Sequence, residues 1–152
     1  MKALFRTAAE LNNLLSDRGW RYCFIGGIAL QRWGQPRLTN DIDLTILTGF
    51  GQEELYVDEL LKLCNGRIPD AKEFALTNRV LLLVSNDGIP IAIALGGIAF
   101  EEKLVSRASL HEFLPGLTLP TCTAEDLIVL KSFADRARDW ADVETVIVRQ
   151  QK

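Results

Sequence analysis

At 152 residues the chain has the size of one domain with one core, and 48% hydrophobic against 24% charged residues is the balance of a folded protein. A formal net charge of −3 excludes general affinity for nucleic-acid backbone, so a polyanionic ligand has to be held by a local cluster of cations or by metal ions. Three widely spaced cysteines (Cys23, Cys64, Cys122), no CxxC and a lone His111 argue against a zinc site and predict a reduced, cytoplasmic protein.

Leu4, Ala8, Leu11 and Leu15 recur at helical spacing and Asp17-Arg18-Gly19 supplies a stop, which predicts a first helix. Arg6 and Glu10 inside that apolar pattern argue against a signal peptide. "WRYCFI" reads as a short buried strand ending at Gly26-Gly27, and "IALQRW" as the first turns of a second helix. "DIDLTIL" alternates, with Asp41, Asp43 and Thr45 on one face and Ile42, Leu44 and Ile46 on the other. "QEELYVDELLKLC" predicts an amphipathic helix closed by Asn65-Gly66. Two apolar runs flanking Asn86-Asp87-Gly88 predict a hairpin. The longest apolar run, "IPIAIALGGIAF", is broken by Pro90 and Gly96-Gly97 and is too short to cross a bilayer, so no membrane partner is expected.

The last third reads as helical. Thr123 to Asp126 fits a capping box ahead of "LIVLKSFA", and "DWADVETVIVRQ" follows as another helix with Val143, Val146 and Ile147 facing inward. No repeat or linker interrupts the sequence. A single domain over 1–152 is expected, ending in a helical pair at about 123–150. The fold class is α+β or α/β: a mixed sheet of four or five strands with helices packed on it.

Chemistry concentrates between Phe24 and Ile46. Residues i and i+2 of a strand share a face, with Cα atoms roughly 6.5–7 Å apart. Asp41 and Asp43 therefore project side by side and repel, and a divalent cation removes the repulsion. The plainer alternative is the polar side of a solvent-facing strand. A strand running into Gly26-Gly27 and then a helix lets backbone N–H groups approach an anion, although a tight turn alone also calls for such glycines. Arg37 and Thr39 offer a guanidinium and a hydroxyl suited to phosphate oxygens. Lys131 shares an apolar helix face with Leu127 and Ala134; it either reaches a ligand or snorkels to water. Asp135, Asp139 and Asp142, interrupted by Arg136 and Arg138, read as a solvated, salt-bridged face, with Asp139 a weak partner for Lys131.

With these residues in view, "IGGIAL", "RLTNDIDLTI", "ALGGIAFEEKLVSRA" and "TAEDLIVLKSFADRARDWADVE" resemble the DNA polymerase beta-type nucleotidyltransferase superfamily, in its minimal and AbiEii-type abortive-infection toxin branches. The resemblance spans about Tyr22 to Val148. It implies Mg²⁺- or Mn²⁺-dependent transfer of a nucleoside monophosphate from an NTP to a hydroxyl on RNA, a protein or a small molecule. It also implies a toxin–antitoxin partner protein. Carried over residue by residue, Gly26 and Gly27 cradle the triphosphate, and Asp41 and Asp43 are the catalytic, metal-holding acids. Arg37 and Thr39 occupy the family's Arg-x-Thr loop, and Lys131 stands for the lysine of its C-terminal helix near the nucleotide.

One position departs from that pattern. Aligned with the family's Pro-x-Asp-x-x-Leu-Gly, "PIAIALG" has Ala92 where a third acid is expected. Asp87, Glu101 and Glu102 are poor substitutes on spacing. Ala92 keeps a second reading open: a catalytically inactive nucleotide-binding protein, or a partner or antitoxin module.

Overall fold

A computed structural model describes residues 2–151. In chain order the elements are α1 (Lys2–Asp17), β1 (Tyr22–Ile25), α2 (Gly26–Trp33), β2 (Ile42–Leu47), α3 (Glu53–Leu61), β3 (Asn65–Gly66), α4 (Ala71–Asn78), β4 (Val80–Val84), β5 (Pro90–Gly96), α5 (Ala99–Arg107), β6 (Ser109–Leu114), β7 (Leu117–Thr121), α6 (Ala124–Ala134) and α7 (Ala137–Gln150). The strands form one mixed sheet ordered β3-β4-β5-β2-β1-β7-β6, in which β2 runs parallel to β5 and β1 parallel to β7. The α/β class is as expected, but the sheet has seven strands rather than four or five.

Strand alternation sorts side chains onto two helix-covered faces. Ile42, Leu44 and Ile46 join Ile91 and Ile93 in a core with Leu4, Ala8, Leu11 and Leu15 of α1 and Val57 and Leu60 of α3. Cys23, Leu104, Cys122, Leu127 and Val146 form a second core, under α5, α6 and α7. Because β2 is central, its other face is covered too. Thr45 is buried, its methyl near Gly96 under α5, and only the start of that face, at Asp43, meets an opening.

Several local expectations change. Asn65-Gly66 does not cap α3; it forms the short edge strand β3, paired with Val84 and Leu83. Residues 109–121, beyond any predicted element, make the β6–β7 hairpin. Ile147 faces outward at 47% exposure, whereas Val143 and Val146 are buried as expected. Thr123 does cap α6, its hydroxyl accepting from the Asp126 N–H at 3.0 Å.

Candidate active site

The antiparallel register sets Ile25, the last residue of β1, opposite Asp43 of β2. The chain then turns through Gly26, at φ +58°, straight into α2, so the helix N-terminus opens beside the carboxylate. Close approach demands glycine here. A Cβ on Gly26 would lie 2.9 Å from the Cβ and Cγ of Asp43, and one on Gly27 would lie 2.9 Å from the Cβ of Thr39. Thr39 is itself buried, and its hydroxyl donates to the Asp41 carbonyl at 3.3 Å. Two glycines thus seat one acid and one threonine against the start of a helix.

Asp41 is exposed, one residue ahead of β2, while Asp43 is partly buried. Burial, and then the charge of Asp41, push the Asp43 carboxyl above its ordinary range; Lys131, Arg136 and Arg67 act in the opposite direction. Keeping Asp43 charged is therefore costly, and a divalent cation would offset that cost.

Cations arrive from three segments. Lys131 of α6 is buried, donating from Nζ to Asp142 Oδ2 at 2.9 Å and lying 3.6 Å from Asp139 Oδ1. Arg37 reaches the same Asp142 through Nε and Nη2, at 3.1 and 3.0 Å. Arg136 grips Asp139 through Nε and Nη2, at 2.6 and 3.2 Å. The arrangement corrects the reading of a solvated acidic stripe. Asp135 takes a left-handed conformation that ends α6, and α7 starts afresh at Ala137, which turns Asp139 and Asp142 inward. They are 1% and 6% exposed. Although burial raises both carboxyls, the hydrogen bonds from Arg136 to Asp139 and from Arg37 and Lys131 to Asp142 hold each below the usual carboxylate range. Lys131 does not snorkel; it is fixed between two acids.

All of Gly26, Gly27, Arg37, Thr39, Asp41, Asp43 and Lys131 line one cavity of about 140 Å³, together with Arg136 and Arg138. Asp139 is the partner of Lys131 that the sequence suggests, whereas Asp142 behind the cavity and Arg136 and Arg138 in its lining are additions from the structure. The available signal was the three-residue spacing that puts both acids on the α7 side shared with the buried Val143 and Val146.

A second, mostly apolar cavity of about 270 Å³ adjoins the first and shares Gly26, Asp43, Lys131 and Arg136 with it. Its walls include Val80, Ala92, Ala94, Leu127 and Leu130. Ala92 is the direct partner of Asp43 in the β2–β5 register. Among the described residues Asp43 is the one acid lining this cavity; Asp87 pairs with Arg6 at 3.7 Å, and Glu101 accepts the Gly97 and Ile98 N–H groups at the head of α5. Among the described residues no three His, Cys, Asp or Glu side chains converge as a metal site.

A mixed sheet with a glycine turn set against two carboxylates at the start of β2 is the arrangement of a nucleotidyltransferase. Solved structures agree. The lincosamide antibiotic adenylyltransferase LnuA, lincomycin-bound, superposes with a TM-score of 0.58 at 14% identity, over 91% of this chain and 92% of that one. ANT(2″)-Ia in complex with adenylyl-2″-tobramycin gives 0.63 at 15% identity, over 95% and 87%. An antigenic nucleotidyltransferase-like protein from Paracoccidioides brasiliensis gives 0.57 at 16%, over 94% and 73%. At these identities the likeness is one of fold, and no curated relative matches in sequence. The chain belongs to the family of nucleotidyl transferase AbiEii toxins of type IV toxin–antitoxin systems, which matches residues 11–150.

Proposed function

We propose that this nucleotidyltransferase moves a nucleoside monophosphate from a metal-bound NTP to a hydroxyl acceptor, with the 140 Å³ cavity as its triphosphate site. The observation that carries the reading is the convergence of a helix N-terminus, two carboxylates and a clamped set of cations on one opening. Gly26 and Gly27 present backbone N–H groups to phosphate oxygens, and Lys131 and Arg37 face the same oxygens. Asp41 and Asp43 fit a hard divalent cation such as Mg²⁺, which supplies charge neutralisation at the phosphates when bound.

In the transfer, the acceptor oxygen bonds to the α-phosphorus while the bond to the bridging oxygen of the β-phosphate breaks, and pyrophosphate leaves with that electron pair. The acceptor proton passes to water, because the wall at Ala92 offers no base. Loss of such a base lowers rates by about 10²–10⁴. Ala92 also supports the second reading, a protein that binds NTP without turning it over.

A labelled-NTP assay with Mg²⁺ or Mn²⁺, offered RNA, protein and small-molecule hydroxyl acceptors, separates the two. Metal-dependent binding with label transfer, faster in Ala92→Asp, is the expected result. Binding without transfer in either form establishes the inactive protein. No nucleotide binding in either overturns both. Membership of a toxin–antitoxin family supports an antitoxin as protein partner. Co-expression with the product of an adjacent gene tests this: relief of any growth arrest supports the pairing.

A further inference from the structure

Paired-metal sites hold two cations about 3.5–4 Å apart, bridged by carboxylates. Here the donor set supplies Asp41 and Asp43 and then stops, because the residue beside Asp43 across the parallel ladder is an alanine. A methyl group ligates nothing. One cation is provided for; the place of a second is not.

That place lies against a guanidinium with a donor to spare. Arg37, Lys131 and Arg136 are all tied to the two buried carboxylates Asp139 and Asp142, while Arg136 also faces Asp41 and Asp43 across the cavity, which Arg138 lines as well. Lys131 is enclosed by both acids, with 9% of its side chain exposed, and Arg37 spends Nε and Nη2 on Asp142. Arg136 is different: its side chain is 58% exposed, Asp139 holds Nε and Nη2, and Nη1 has no hydrogen-bond partner among the described residues. Arg136 is also shared by both cavities, where Asp43 and Ala92 meet. A buried acid thus aims a rigid guanidinium, with an unspent donor edge, at the junction of the phosphate notch and the apolar slot. Such a fork suits the oxygens of a phosphoryl group in transfer.

We propose that this chain binds a single divalent cation with its nucleotide, and that the guanidinium of Arg136 stands in for the second cation at the α-phosphate. The proposal rests on the nucleotidyltransferase reading and names the device by which its active site tolerates Ala92. Bond making and breaking are those of the transfer already described; Arg136 donates hydrogen bonds and takes no proton.

The test counts metal rather than product. Mn²⁺ is titrated by electron paramagnetic resonance into the protein saturated with α,β-methylene-ATP, which binds but cannot release pyrophosphate. The expected result is one Mn²⁺ per complex in the parent protein and two in Ala92→Asp. Two in the parent, or one in both, overturns the proposal while leaving nucleotide binding intact. No complex in any variant removes the nucleotidyltransferase reading and this inference with it.

Arg136→Gln then separates the charge from its structural role. It is expected to retain one Mn²⁺ per complex and to lose roughly 10²-fold in transfer rate. In the Ala92→Asp background the same substitution is expected to cost under about tenfold, because a second cation replaces the lost charge. Equal losses in both backgrounds overturn the assignment. Arg136→Lys keeps the charge with a single point of attachment and is expected to lose under about tenfold; a folded Lys variant that loses roughly 10²-fold overturns the assignment, whether or not the Gln variant folds.

Discussion

Asp142 and Arg37, 105 residues apart, are joined by two parallel hydrogen bonds of 3.1 and 3.0 Å, and the same carboxylate receives Lys131 at 2.9 Å. The loop between α2 and β2 is thereby anchored to α7 through one buried acid. Removing that acid leaves a buried lysine with only Asp139 nearby. Loss of one member of a buried ion pair is strongly destabilising, here on the order of 3 kcal/mol for Asp142→Ala. Urea denaturation measures it. The variant also loses nucleotide affinity, read by calorimetry, because Arg37 and Lys131 lose their shared anchor.

The pH dependence of stability carries the same signature. Asp139 and Asp142 are held below their ordinary carboxylate range in the folded state. Their contribution is complete above the unfolded value of about 3.9 and is lost as pH falls through the lowered folded values. Thermal denaturation is expected to show acid destabilisation setting in below about pH 4. Asp142→Asn flattens that slope and is less stable at pH 7.

Asp43 gives the opposite sign. Its carboxyl is raised by burial and by Asp41, so the folded state binds that proton more tightly than the unfolded one. Stability from this group is lost as pH climbs from about 3.9 through the raised folded value. Asp43→Asn is therefore expected to raise Tm at pH 7 while abolishing metal-dependent NTP binding. A variant that melts lower than the parent counts against this account of the site.

Gly27 and Thr39 provide a paired test. In Gly27→Ala the added methyl meets the Thr39 side chain, overpacking expected to cost about 1–3 kcal/mol. Adding Thr39→Gly removes the obstacle and restores stability. Nucleotide affinity stays low in the double variant, because the new methyl still narrows the approach to the helix N-terminus and the hydroxyl is gone. Recovery of affinity together with stability would show that Gly27 matters for packing alone.

The elements read most readily were those whose signals are local. Alternation over residues 41–47 places β2, Asn86-Asp87-Gly88 marks the β4–β5 turn, and Thr123 marks the start of α6. The β6–β7 hairpin escaped because Pro120 inside "LTLPT" argues against a strand, whereas in the fold it sits within β7 opposite Leu110. Asp139 and Asp142 were misplaced for a different reason. Helical spacing says which residues share a face, but not that Arg37 comes from another part of the chain to meet them. Carboxylates on a helix read as solvated until their partners are seen. Likewise Thr45 looks polar and outward in the strand pattern, and is buried because β2 lies in the middle of a sheet covered on both sides.

The hollow at Asp43 is walled on either hand by strand pairing, Ile25 on one side and Ala92 on the other. Its floor is therefore the sheet itself, and its width there is set by the spacing of the ladder. The opposite wall is the strap of residues 37–41, the part of the lining that no strand pairing holds, so it is there that a ligand meets the more yielding side of the hollow.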